Sequence, residues 1–208
     1  MASLSVRIAV YLGSISVIGI GVGLMVEGDL GVAPNDVLNT GLSDTFGFGV
    51  GTAAWITGVV AMVIAWALGR RPRIATVLGS VIVGFSINGA LAALPTPDAM
   101  GVRIAFLAGG LAIIWVGITG VVASDVGAGP LELVMLAFMD RGVGIRWSRW
   151  GLELTLLLLG LALGGAAGLG TLLFAFGTGP VLAVTLPPAA ARMGTDLTHP
   201  TDVAAVGP

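Results

Sequence analysis

Asp29-Leu30-Gly31-Val32-Ala33-Pro34-Asn35-Asp36 returns as Asp125-Val126-Gly127-Ala128-Gly129-Pro130-Leu131-Glu132, an offset of 96 residues (29 to 125). Asp44 matches Asp140 in the same register. After a shift of one residue, Trp55 matches Trp150, Gly69 matches Gly164, Thr76 matches Thr171 and Gly84 matches Gly179. Glycine matches carry little in a chain with 34 glycines, but the Asp, Pro and Trp matches keep their order. The chain therefore reads as a duplication, with one unit over about 5–95 and the second over about 102–187.

The material between these motifs is membrane-spanning helix. Of 208 residues, 56% are hydrophobic and only 10% charged, with a mean hydropathy of +1.05. Soluble proteins need about 25% charged residues to cover their surface. A bilayer core takes about 20 apolar residues in a helix. Six stretches fit: 8–26, 50–68, 74–94, 104–123, 150–167 and 169–186. The fifth is the weakest, because it carries Glu153 and ends in glycine and alanine. The first lacks a small-x-small cleavage site and reads as a retained helix rather than a signal peptide. Residues 1–187 form one transmembrane domain, and 188–208 read as a disordered cytoplasmic tail.

Arginine placement orients the spans. With the N-terminus inside, Arg7, Arg70, Arg71, Arg73, Arg141, Arg146, Arg149 and Arg192 fall on the cytoplasmic side and only Arg103 outside. That is the bias expected of a multi-pass protein with both termini cytoplasmic. Each unit has three spans, an odd number, so the second unit lies upside down relative to the first. The expected fold is an all-α transmembrane bundle of about six spans, arranged as two inverted three-helix repeats. Such repeats recur in secondary transporters, with the binding site at the repeat interface.

Each unit also holds a short helix. Pro34 and Pro130 suit the first helical position, where a missing N–H costs nothing. Asp36 and Glu132 then fall in the first turn, at the positive end of the helix dipole. At about 12 residues each helix is about 18 Å long, too short to span. Both are either interfacial or re-entrant half-helices. In the re-entrant case their Gly-rich entries line a polar cavity, and Asp36 and Glu132 become cation or proton sites. Otherwise both acids cap surface helices. Glu153 is a further candidate because a carboxylate inside a span is costly unless paired. Arg149, one turn earlier, is its natural partner. Asn88 is a polar group at depth, for hydrogen bonding between helices or for substrate. Gly160, Gly164 and Gly168, spaced by four, suggest a smooth packing face.

Other chemistry is excluded or disfavoured. With no cysteine, thiolate metal sites and cysteine nucleophiles are absent. The one histidine, His199, sits in the polar C-terminal segment, so no zinc site, triad or cofactor is expected and the chain does not read as an enzyme. A net charge of −2 gives no reason to expect nucleic acid.

Leu30-Gly31-Val32-Ala33-Pro34-Asn35-Asp36-Val37-Leu38 resembles the GLGxxPWDVL signature of the YczE/YyaS/YitT-like bacterial membrane proteins. The resemblance continues through Gly51-Thr52, Thr76-Val77-Leu78, 126–130, 146–153 and 168–172. Asn35 stands where it implies tryptophan in many relatives, and Leu131-Glu132 where it implies an Arg-Asp pair. It implies a bacterial plasma-membrane protein with several spans, and no established chemistry. Two functions fit the sequence. One is a small secondary transporter or permease for a small solute or ion, working within the lipid bilayer, with a homodimer as the expected assembly. The other is a non-transporting accessory protein that binds a partner within the bilayer.

Overall fold

In the computed structural model, which describes residues 2–196, the chain folds into eight helices. They are α1 (Leu4–Gly28), α2 (Pro34–Phe46), α3 (Val50–Ala67), α4 (Ile74–Ala93), α5 (Met100–Ser124), α6 (Pro130–Met139), α7 (Ile145–Ala162) and α8 (Leu169–Met193). The order long, short, long, long occurs twice. The backbone repeats as well. Asp29 and Asp125 each leave a long helix in the left-handed region, at φ 48° and 53°. Each donates its N–H back into that helix, to Val26 O and Val122 O. This region costs most side chains about 1–2 kcal/mol, and aspartate tolerates it better than most. Gly47 and Gly142, then Gly69 and Gly164, turn with positive φ at the corresponding corners.

Among the described residues, five helices are long and apolar enough to cross a membrane: α1, α3, α4, α5 and α8. The expected sixth, α7, differs from its sequence reading. It spans Ile145–Ala162 rather than 150–167, because Gly164 at φ 78° ends it early. Its eighteen residues take in Arg146, Arg149 and Glu153, which lowers its apolarity. Gly164 therefore belongs to a turn and not to a packing face, whereas Gly160 packs on α2 and Gly168 on the loop before it. The end of α8 also differs. Pro187 and Pro188 do not stop it, so 188–193 are helical and not a disordered tail. Leu186 and Met193 are buried with Val122 and Ala123 of α5, and Arg7 Nη2 donates to Met193 O at 2.9 Å. These contacts offset the hydrogen bonds that the prolines cannot make. The rest of the expected tail, with His199, lies outside the described residues.

α1 and α5 pack antiparallel through small residues. A Cβ on Gly21 would lie 2.9 Å from Gly110 O, and one on Gly117 would lie 2.9 Å from Ser14 O. Close backbone approach of this kind replaces the hydrophobic driving force that lipid removes. Two arginines at matching positions, 7 and 103, close the ends. Arg103 on α5 donates from Nε to Gly28 O (2.9 Å) and from Nη2 to Asp29 O and Oδ2 (both 2.6 Å) at the end of α1. Arg7 on α1 donates from Nη1 to Ser124 O (3.3 Å) and stands 3.8 Å from Asp125 at the end of α5. Each cation meets the negative end of the other unit's helix dipole.

Around this pair, α4 packs on α1 and α8 on α5. The short helices cross between units: α2 packs on α3 and α7, and α6 packs on α3 and α7. One end of the bundle brings Arg70 and Arg141 together. There Arg70 forks onto Asp140 (2.6 and 2.8 Å), and Arg141 donates to Leu68 O (2.8 Å).

Candidate functional site: a central cavity between the two short helices

The residue before each proline is extended, Ala33 at ψ 153° and Gly129 at ψ 165°, so the chain enters straight and coils from the proline onward. Asp36 and Glu132 fall in the first turns, as their spacing predicts. α2 runs beside α3, where its Asn39 Oδ1 accepts from Thr57 Oγ1 at 2.8 Å. It ends at one end of the bundle, where Thr45 Oγ1 donates to Leu163 O at 3.4 Å. α6 begins against the middle of α3, with Pro130 beside Gly58, and ends among the arginines at the other end. The two short helices therefore run in opposite directions, toward the two ends of the bundle.

Their starts border one cavity of about 350 Å³, lined by side chains from all eight helices. Of the sequence candidates, Pro34, Asp36, Pro130, Glu132 and Glu153 line it and so come together. Asn88 does not line it. Its Oδ1 accepts the Gly51 N–H at 2.9 Å, so it caps the first turn of α3. That N–H is one of the donors a helix start leaves unpaired.

Asp36 is buried, and its Oδ1 accepts from Asn39 Nδ2 at 2.9 Å. Thr57, Asn39 and Asp36 thus form a chain of hydrogen bonds from α3 into α2. The Glu132 carboxylate folds back toward Gly129, into the space that a side chain there would fill. Arg149 Nε donates to Glu153 Oε1 at 3.0 Å, and both charges stand close enough to act on Glu132. Tyr11 Oη donates to Ala75 O at 2.8 Å, and Thr76 Oγ1 to Ala128 O at 2.8 Å. The Asn35 side-chain oxygen is buried without a hydrogen-bond partner. The remaining walls are aliphatic, including Ile15, Val22, Ile114, Ile118 and Leu182. The arrangement can hold a small solute by an apolar body and a few polar contacts, the usual composition of a ligand cavity.

Sequence reasoning missed Tyr11, Asn39 and Thr57. Asn39 was readable as the residue one turn after Asp36 on the same helix face. Tyr11 is the one tyrosine of the chain, set in an apolar span. Thr57 had no signal, because a lone threonine in a span commonly bonds its own helix, as Thr57 also does with Ala54 O.

Known relatives place the chain. YczE, an uncharacterized membrane protein of Bacillus subtilis (strain 168), is 31% identical over 187 residues, covering 88% of this chain and 87% of its own. An uncharacterized protein of Haemophilus influenzae is 31% identical over 176 residues, covering 84% of this chain and 81% of its own. No solved structure matches. With residues 5–187 matching throughout, the chain is a membrane protein that belongs to a family of unknown function, DUF6198.

Proposed function

We propose that the chain is a small secondary transporter or permease that binds its solute in the central cavity. The observation that carries this reading is the convergence of the starts of two short helices, α2 and α6, on a single cavity with Asp36 and Glu132 in its wall. Broken helices meeting at mid-bundle are how transporters free polar backbone for a substrate. The antiparallel α1 and α5, with their matched arginines, support the inverted-repeat reading. The arginine-rich end is assigned to the cytoplasm of a bacterial plasma membrane, so both the chain start and the end of α8 lie inside. The test is flux into proteoliposomes holding the purified chain, with labelled amines, amino acids, sugars and organic anions as the panel. Uptake that is lost in Asp36→Asn and in Glu132→Gln supports transport. Absence of flux for every class, in either direction, defeats it.

A further inference from the structure

The two units differ at one seam. In the first, α3 and α4 are closed on each other. The Trp55 indole lies on Gly84, its Nε1 donates to Val81 O at 3.1 Å, and its ring meets Phe85 edge-on at 4.7 Å. The matching residues of the second unit are Trp150 and Gly179. Nothing lies within 4 Å of where a Gly179 side chain would begin. Trp150 is 61% exposed and meets Trp147 instead, at 6.5 Å. α7 and α8 barely pack on each other, yet both line the cavity, with Leu152 and Leu156 on one side and Phe174 and Thr178 on the other. The cavity thus has one wall that is a loose seam, between helices whose outer faces expose apolar residues such as Leu154, Leu158 and Phe176.

The charge of the lining is informative beside this. Three carboxylates, Asp36, Glu132 and Glu153, face one guanidinium, Arg149, which is bonded to Glu153. Among the described residues neither Asp36 nor Glu132 has an arginine within ion-pair distance. The N-termini of α2 and α6 each add about half a positive charge. With the carboxylates ionised, the sum is about one negative charge in a mainly aliphatic cavity. Uncompensated charge at this depth is costly, and either protonation of a carboxylate or a bound monocation removes the cost.

We propose that the cavity takes a lipophilic monocation, a protonated amine on a small apolar body, admitted from the bilayer between α7 and α8. This deepens the transporter reading and rests on it for the ligand's release, but not for its binding.

The test uses the full chain in lipid nanodiscs, with empty nanodiscs to subtract partitioning. Equilibrium binding is measured for phenethylammonium, phenethyl alcohol and phenylacetate, which share a body and differ in charge. The expected result is saturable binding of the cation, weakened at least about tenfold in Asp36→Asn or Glu132→Gln. The alcohol and the anion bind at least about tenfold less well. Equal or tighter binding of either neutral or anionic probe overturns the assignment. Entry is tested separately, since the chain has no native cysteine. Bridging Trp150→Cys to Gly179→Cys with a bifunctional maleimide should slow cation uptake into the cavity. Bridging Trp55→Cys to Gly84→Cys, outside the cavity lining, should not. The reverse pattern refutes entry at the α7–α8 seam. Cation binding without flux sinks the transporter reading alone, whereas flux of another solute without cation binding sinks this proposal alone.

Discussion

Gly160→Ala tests whether α2 is held at its depth by backbone contact with α7. A Cβ on Gly160 would lie 2.5 Å from both Leu38 N and Val37 C, and 2.7 Å from Val37 O. Ordinary contact begins at 3.4 Å, so α2 has to retreat by about 0.9 Å (3.4 − 2.5). Overpacking of one methyl costs about 1–3 kcal/mol, and here the upper end applies because backbone atoms have no rotamer to escape into. Alanine returns about 1 kcal/mol of helix propensity, leaving a net loss of about 2 kcal/mol. Gly109→Ala is the control, since nothing lies within 4 Å of that position. It should stabilise by up to about 1 kcal/mol. Denaturant unfolding in mild detergent reads both. Asp36 sits in the same turn as Val37 and Leu38, so Gly160→Ala should also weaken ligand binding while Gly109→Ala does not. The reasoning fails if Gly160→Ala unfolds at or above the midpoint of the parent while Gly109→Ala shows its gain.

Arg103→Gln and Arg7→Gln should each destabilise, with Arg103→Gln costing about 2 kcal/mol because charged hydrogen bonds to helix-end carbonyls are lost. Arg71→Gln, at an exposed position, should be neutral in the same unfolding assay. Asn88→Ala leaves the Gly51 N–H without its acceptor and should cost about 1 kcal/mol, with phenethylammonium binding unchanged. The Arg70 guanidinium, bonded to Asp140, holds that carboxyl below the usual carboxylate range. Its folded pKa is depressed, so the contribution is complete above the ordinary aspartate value and is lost as pH falls through the lowered one. Asp140→Asn should therefore flatten the acid limb of a stability-against-pH curve. The effect is under about 1 kcal/mol, since the pair is largely exposed.

The sequence carried the architecture wherever a local rule governed it. Proline followed two residues later by an acid marks a helix start in any context, and both short helices begin as expected. Aspartate stands at matching positions of the repeated motif, and Asp29 and Asp125 share the left-handed conformation there. What was illegible depends on tertiary position. The sequence could not say what Asp36 and Glu132 face, because an acid suits the first helical turn in any setting and only tertiary packing brings the two to one cavity. Asn88 and Glu153 looked alike as polar groups in spans, yet one caps a neighbouring helix and the other lines the cavity. The continuation of α8 through two prolines follows from burial against α5, which no local propensity contains.

Arg103 is the arginine that breaks the charge bias, and its grip on Gly28 and Asp29 gives the reason. Each unit finishes its first helix with carbonyls that it cannot neutralise itself, and begins that helix with the arginine that the other unit lacks. Neither half is thus self-sufficient. A chain severed in the loop after α4 would yield two fragments that complete each other only when both are present and oppositely oriented in the same bilayer. The connection between them sets stoichiometry, while the exchanged arginines set recognition.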